Sequence, residues 1–285
     1  MNSTNYFRNE LTKRLLGFCL LFVLVTRLSA ANSQEWLWAN SYGTTGVNKS
    51  TAVVNDGSGN LYVTGFFESA QMKVGSFTLS NQGGRDVFVV KLSKSGTVIW
   101  AKSYGGSFDD VPTSLTIDSK GDCIVAGNYI SKTVKFDALT LMNTGQAADK
   151  TSDIFVAKLN QTTGEVEWAT SADGVSNDVV TSVVATPDGG CILVGSFVGQ
   201  DYVMGDNVLH SNGGEDAFVA IIDTSGNIMK AQSFGGVGRD YASSVGQDAQ
   251  GNVYVCGNYE STEIKFQQSK LTNSGANDFF VVKLN

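Results

Sequence analysis

A residue with a side-chain oxygen recurs at one position in each quarter of the 285-residue chain. This set consists of Asn48, Asp110, Asp178 and Asp240. If the four converge, three carboxylates and one amide oxygen suit a hard cation such as Ca²⁺, which prefers oxygen ligands. The alternative is local, with each side chain accepting backbone N–H bonds from its own turn. The set is the candidate metal site, and Ca²⁺ is the only cofactor that the sequence suggests.

Other catalytic chemistry has less support in the sequence. A second set of carboxylates opens apolar segments, where ordering of a turn is expected; it consists of Asp86, Asp153, Asp216 and Asp278. The one histidine, His210, has Ser80, Met142 and Thr272 at the matching positions, which predicts a surface residue. No nucleophile elbow, phosphate loop or zinc-binding helix motif is present. We expect no catalytic residues, although paired carboxylates could still serve acid–base chemistry.

These residues belong to a unit that is written four times. The segment that begins at Trp38 with Trp-Ala-Asn-Ser-Tyr-Gly recurs at Trp100, Trp168 and Lys230, about every 62 residues, with six extra residues in the second interval. Glycines and phenylalanines keep the same register: Gly65, Gly127, Gly195 and Gly257, and Phe88, Phe155, Phe218 and Phe280. Self-similarity at such a period is typical of repeat architectures.

Each unit is predicted to form four strands. In the second unit these are 113–118, Cys123–Tyr129, Asp153–Leu159 and 166–171. The third strands are apolar at odd and even positions alike, so both of their faces must be covered. Radially stacked sheets cover both faces. The predicted fold is therefore all-β: a β-propeller of four units, each a four-stranded blade, in one domain spanning residues 34–285.

The two ends of the repeated region are complementary. Residues 35–41 match the fourth strand of a unit, whereas Asp278–Leu284 match the third. The N-terminal strand is therefore predicted to complete the last blade as a clasp and to close a four-bladed ring. A ring of eight blades built from two chains is the alternative.

The repeated segments resemble a known family. Asp278-Phe279-Phe280-Val281-Val282-Lys283-Leu284, together with the glycine-flanked strand from Gly251 to Gly257 and the segment that begins at Trp100, resembles the seven-bladed beta-propeller (SBBP) repeats of secreted bacterial proteins. The resemblance covers nearly all of the chain after residue 33. It implies a propeller fold, and this chain shows four units rather than seven.

The N-terminus has the pattern of a secretory signal peptide. Basic residues precede an apolar run at 15–26, and small residues follow it, which predicts cleavage near residue 33. The run is shorter than the ~20 residues that a membrane span needs. The protein is therefore expected to be secreted or periplasmic and not to span a membrane after cleavage. Cys123, Cys191 and Cys256 then remain, and we expect free, buried thiols.

Composition and loop variation limit the function further. A net charge of −7 argues against nucleic acid as a partner, because phosphate binding needs clustered Lys and Arg. Loops at 69–71, 131–133, 199–201 and 261–263 share one register and differ in sequence. We expect a non-enzymatic binding or scaffold module for a protein or glycan. The alternatives are a polysaccharide-acting enzyme with carboxylates at the channel mouth and a structural domain of the envelope.

Overall fold

The computed structural model describes residues 35–284, except 146–150, 173, 175 and 267. The chain divides into two units, Met1–Ala39 and Asn40–Asn285, and only residues 35–39 of the first are described. The predicted signal peptide, residues 1–33, lies outside the described residues. Every regular element in the described part is a β-strand. No helix long and apolar enough to cross a membrane occurs in that part.

Four antiparallel sheets, called blades 1 to 4, follow one another along the second unit. Blade 1 contains β1 (Asn48–Asn55), β2 (Leu61–Phe67), β5 (Asp86–Leu92) and β6 (Val98–Tyr104). Blade 2 contains β7 (Asp110–Ile117), β8 (Cys123–Tyr129), β11 (Asp153–Leu159) and β12 (Val166–Ala172). Blade 3 contains β13 (Val179–Ala185), β14 (Cys191–Val198), β17 (Glu215–Ile222) and β18 (Ile228–Phe234). Blade 4 contains β19 (Asp240–Gln247), β20 (Val253–Tyr259) and β23 (Asp278–Leu284). The all-β prediction is confirmed. The four strands predicted for the second sequence repeat are present in blade 2, and the first of them starts at Asp110.

A two-stranded hairpin, which the sequence pattern did not predict, separates the second and third strands of every blade. The hairpins are β3 (Gln71–Val74) with β4 (Phe77–Ser80), β9 (Thr133–Phe136) with β10 (Leu139–Met142), β15 (Asp201–Met204) with β16 (Asn207–His210), and β21 (Glu263–Phe266) with β22 (Ser269–Thr272). Alternate residues of each hairpin point into the core, as the period of a strand requires. The opposite face of each hairpin is exposed.

The repeated glycine and phenylalanine meet across neighbouring strands. Gly127 on β8 pairs with Phe155 on β11, and the same pairing occurs in the other three blades. A β-carbon on Gly127 would lie 2.5 Å from Phe155 Cζ and 2.4 Å from the carbonyl oxygen of Val111. Only glycine leaves room for both the ring and the adjacent strand, which explains why the two residues recur together.

Successive blades pack face to face through apolar clusters. Between blades 1 and 2, Val89 and Trp100 lie in one buried cluster with Val125 and Phe136, and equivalent clusters join blades 2 and 3 and blades 3 and 4. Trp100 Nε1 donates to the carbonyl of Gln161 in the next blade at 3.2 Å. Trp168 Nε1 repeats this bond to Thr224 at 3.1 Å and anchors blade 2 to blade 3.

The predicted clasp is absent from the described residues. The sheet of blade 4 has three strands, with β23 paired to β20 alone, and residues 35–41 form no strand. Asn40 Nδ2 instead donates to the carbonyl of Gly96 at 2.7 Å, and Tyr42 Oη donates to it at 3.3 Å. These bonds hold the start of the second unit on blade 1. The first strands pack in the order β1, β7, β13, β19, without comparable packing between β19 and β1.

Candidate functional site

The predicted carboxylates lie at the blade junctions. Asp110 and Asp240 are the first residues of β7 and β19, and Asp178 directly precedes β13. All three are fully buried. Each therefore stands where the chain leaves one blade and enters the first strand of the next.

Asp110 and Asp240 order the loops around them through the same set of bonds. Asp110 Oδ2 accepts the backbone N–H of Gly106 at 2.7 Å and the hydroxyl of Ser131 at 2.9 Å. Asp240 Oδ2 accepts from Gly236 at 2.7 Å and from Ser261 at 2.6 Å. Ser131 and Ser261 are the first residues of two loops that were predicted to be variable. Both are buried and serve as structural partners of the aspartates. The sequence signal for this role was the small residue that opens each of those loops.

Asn48 and Asp178 depart from this pattern. Asn48 Nδ2 donates to the carbonyls of Thr44 and Gly46 at 3.3 and 3.2 Å, within its own turn. Asp178 has no serine hydroxyl available at the matching position, because Gly199 stands there. The unit thus keeps an acidic or amide residue at this position while its partners change.

The second carboxylate set, which sequence analysis assigned only to turns, lies beside the first. Asp86 and Asp216 each accept a backbone N–H from four residues earlier, as a turn-ordering side chain does. A β-carbon on Gly235 would lie 2.1 Å from Asp216 Oδ1 and 3.0 Å from Asp240 Oδ2. Carboxylates of two successive blades therefore face the same small space.

Burial and pairing shift the acidity of these groups. Burial raises the pKa of Asp86 to about 7, and the neighbouring Asp110 adds to the rise. Burial likewise raises the pKa of Asp110 to about 7, against the lowering effect of its Ser131 hydrogen bond. Burial, with Asp153 as neighbour, raises the pKa of Asp178 to about 8. Like charges in a desolvated space favour the protonated acid.

The four residues of the candidate metal site are not gathered into one cluster. Among the described residues, no group of three or more His, Cys, Asp or Glu side chains is placed to hold a metal ion. Asp110 and Asp240 are instead engaged locally, since each accepts hydrogen bonds from a loop N–H and from a serine hydroxyl. These two residues therefore follow the alternative stated above, in which each side chain accepts hydrogen bonds from its own loops. Asp86, Asp110 and Asp178 can hold and release protons near neutral pH, because burial raises their pKa values.

One buried ion pair lies apart from the junction carboxylates. Lys158 Nζ contacts Asp118 Oδ2 at 2.6 Å and Asp122 Oδ2 at 3.7 Å, and all three side chains are buried. Lys91 occupies the matching position in blade 1, where its ammonium donates to the carbonyl of Gln161 at 2.7 Å. Lys91 and Lys158 therefore fasten turns of blade 2 and are buried, so they are not accessible for catalysis.

The remaining candidates are a histidine and three thiols. His210 is exposed on β16, and its Nδ1 lies 2.6 Å from Asp201 Oδ1 across the hairpin. The three described cysteines are free; Cys123 and Cys191 are buried, and Cys256 is partly exposed. Burial raises the pKa of Cys191 to about 12, which leaves its thiol unreactive.

Comparison with known proteins agrees with a repeat architecture. No protein-family model matches the chain, so membership of the SBBP family is not shown. The regulatory protein FlaEY of Caulobacter vibrioides is 26% identical over 208 residues, 72% of this chain and 21% of that protein. The WD repeat-containing protein L264 of Acanthamoeba polyphaga mimivirus is 20% identical over 232 residues, 71% of this chain and 17% of that protein. The chain therefore spans about a fifth of the length of these curated relatives.

Among solved structures, one of a protein of unknown function from Bacteroides caccae aligns with 83% of this chain and 61% of that chain, at 10% identity and a TM-score of 0.39. The chain is a β-propeller-like repeat protein, as its sheets and its similarity to a WD-repeat protein indicate.

Proposed function

We propose that this protein is a secreted, non-enzymatic β-propeller that binds a protein or glycan through the exposed faces of its four hairpins. One observation carries the proposal: the hairpins share a buried apolar face, whereas the exposed faces of the third and fourth differ from that of the first. Met72 and Leu79 fill the buried positions in the first hairpin, and Tyr202 and Leu209 fill them in the third. A constant frame that displays different side chains in the same place is how binding loops are positioned on a rigid fold.

The third hairpin has the most distinctive exposed face. Val203 and Val208 are exposed directly opposite each other, next to the pair Asp201 and His210. The first hairpin has Lys73 opposite Thr78 at the valine positions. An apolar pair beside a hydrogen-bonding pair offers both contact area and direction to a ligand.

The fourth hairpin presents a charged face instead. Glu263 contacts Lys270 across the hairpin and lies 3.5 Å from Lys265. The third and fourth hairpins therefore differ chemically from the first and second, which share a Lys–Thr pair at the valine positions, Lys73 with Thr78 and Lys135 with Thr140. A partner that contacts several blades would read a pattern of apolar, polar and charged faces.

The proposal is tested with the purified protein on a polysaccharide array and against extracted envelope proteins. The double variant Val203→Lys/Val208→Thr copies the first hairpin onto the third and should abolish binding to the ligand found without lowering the melting temperature. The reverse variant, Lys73→Val/Thr78→Val, is the matched control. Binding that no hairpin variant changes would refute the proposed surface, and release of reducing sugar from an array polysaccharide would refute the non-enzymatic assignment.

A further inference from the structure

The outer face of blade 4 exposes positions that are buried in every other blade. Phe279 and Val281 on β23 are 77% and 61% exposed. The residues at the same positions are at most 9% exposed: Val87 and Val89 in blade 1, Ile154 and Val156 in blade 2, and Ala217 and Val219 in blade 3. In those blades the following blade covers them. Within the described part of the chain, the face of blade 4 is thus a blade junction without its second half.

Blade 1 carries the matching half of such a junction. Val53 on β1 is 65% exposed, whereas Leu115, Val183 and Val245 at the same position are at most 8% exposed. These three residues face the preceding blade. Blade 1 therefore presents the surface with which blades 2, 3 and 4 each receive the blade before them.

The start of the second unit also fits this arrangement. Tyr42 Oη donates to the carbonyl of Gly96 in blade 1, as Tyr104 Oη donates to that of Gly164 in blade 2. Tyr104 belongs to the fourth strand of the preceding blade. Residues 40–42 therefore occupy the place of a preceding blade's fourth strand, while blade 4 has only three strands.

The charges at the two faces are compatible with their contact. Within the chain, each junction brings together two aspartates, such as Asp86 with Asp110. A junction between blade 4 and blade 1 would instead bring Asp278 to Asn48. An amide in place of the second carboxylate removes the repulsion between like charges.

We infer that the exposed face of blade 4 binds blade 1 of a second copy of this chain, whose residues 40–42 pair with β23 as the fourth strand of the blade. Two copies joined in this way at both seams form a closed dimer of eight blades. A contact between two different surfaces produces a closed ring when the rotation between the copies completes a full turn. Contact with a second copy leaves the three packed junctions of the chain unchanged. Closure within one chain would have to bring β19 against β1, which lack such packing, by altering at least one of these junctions, and their close packing resists that change.

The internal junctions also specify the register of the new strand pair. Val87 pairs with Tyr104, and Val89 pairs with Lys102. The equivalent contacts place Phe279 opposite Tyr42 of the second copy and Val281 opposite its Asn40. The new pair would cover the free edge of β23, which would otherwise be open to other strands.

Sedimentation of the purified protein over a range of concentrations tests the inference. We expect a dimer, and Phe279→Asp/Val281→Lys should raise its dissociation constant about 30-fold or more, as the loss of a buried hot spot does. Met229→Asp changes an apolar residue that is equally exposed but outside the seam, and it should leave the dimer intact. A monomer at every concentration, or a dimer that survives the double variant, overturns the inference.

A designed disulfide distinguishes the two ways of covering β23. The background variant is Cys256→Thr, which removes the partly exposed thiol and introduces the residue found at the matching position of blade 1, Thr64. In this background, Asn40→Cys/Val281→Cys should form a covalent dimer on oxidation. A link within one chain would show that the protein closes its own ring. That outcome, or the absence of any link, contradicts the inference.

Discussion

The indole ring of Trp168 in blade 2 lies against the turn glycine Gly226 in blade 3. A β-carbon on Gly226 would lie 2.8 Å from Trp168 Cδ2, and the indole N–H donates to Thr224 in the same turn. Trp100 has the same relationship to Gly164 one junction earlier. The tryptophan thus recurs because it packs on a turn of the following blade. Only glycine at that position of the turn leaves room for the indole ring.

Replacing this glycine should weaken the junction between blades 2 and 3. Gly226 has φ 88°, so Gly226→Ala combines backbone strain with a clash against the indole ring, and the free energy of unfolding should fall by about 2–4 kcal/mol. Gly251 has φ 85° and nothing within 4 Å, so Gly251→Ala isolates the cost of strain. Chemical denaturation measures both variants, and equal losses would contradict a role for Trp168.

The contact between Gly127 and Phe155 predicts a second large effect. Gly127→Ala places a methyl group against the Phe155 ring and the Val111 carbonyl, and it should destabilise the protein by about 3 kcal/mol. Gly246 also lies in a strand, yet a β-carbon there meets nothing within 4 Å. Gly246→Ala should therefore be neutral or slightly stabilising. Thermal unfolding that shows similar losses for the two variants would refute this account.

Three buried aspartates at the blade junctions, Asp86, Asp110 and Asp178, predict that the free energy of unfolding falls as the pH rises. The pKa values of about 7 for Asp86 and Asp110 and about 8 for Asp178 exceed the ordinary value of 3.8. Above pH 4 the unfolded chain releases these protons, whereas the folded chain retains them until pH 7 to 8. The stability associated with them is present below pH 4 and is lost progressively up to about pH 8.

Asp178→Asn tests this dependence directly, because the amide cannot ionise. The variant should have a smaller fall in melting temperature between pH 5 and pH 8 than the wild type. Asp188 is the control: its side-chain hydrogen bond with Thr186 lowers its pKa, so Asp188→Asn should not flatten the profile. Parallel profiles for wild type and Asp178→Asn would show that this carboxyl is not protonated in the folded state.

Lys158 predicts a strong effect from the loss of one buried charge. Lys158→Met strands the buried carboxylates of Asp118 and Asp122 and should cost about 3–5 kcal/mol. Adding Asp118→Asn should recover part of that loss. Lys91→Met, at the matching position, removes a bond to a carbonyl oxygen and should cost less. Additive losses in the double variant, measured by urea denaturation, would argue against coupling.

The second and third strands were predicted well from the sequence because they have nearly continuous apolar runs, as in Cys123–Tyr129 and Asp153–Leu159. The hairpins were missed because their strands have four residues, too short for alternation such as that of Thr133–Phe136 to be conclusive. The positions of Asp86 and Asp110 were evident, but their pairing was not, since it depends on how two blades pack. The clasp was predicted because residues 35–41 match a fourth strand of the repeat and Asp278–Leu284 match a third strand. Such a match does not specify which sheet the fourth strand joins.

The junctions between blades imply a graded response to local opening. Blades 2 and 3 are each held by two junctions, whereas blade 4 shares only the one with blade 3. In an array stabilised by nearest-neighbour contacts, end units open at lower free energy than central ones. In the Phe279→Asp/Val281→Lys variant, in which the contact with a second copy is weakened, amides of Val253–Tyr259 should therefore exchange with solvent deuterium before those of Cys123–Tyr129, although each segment is the second strand of its blade.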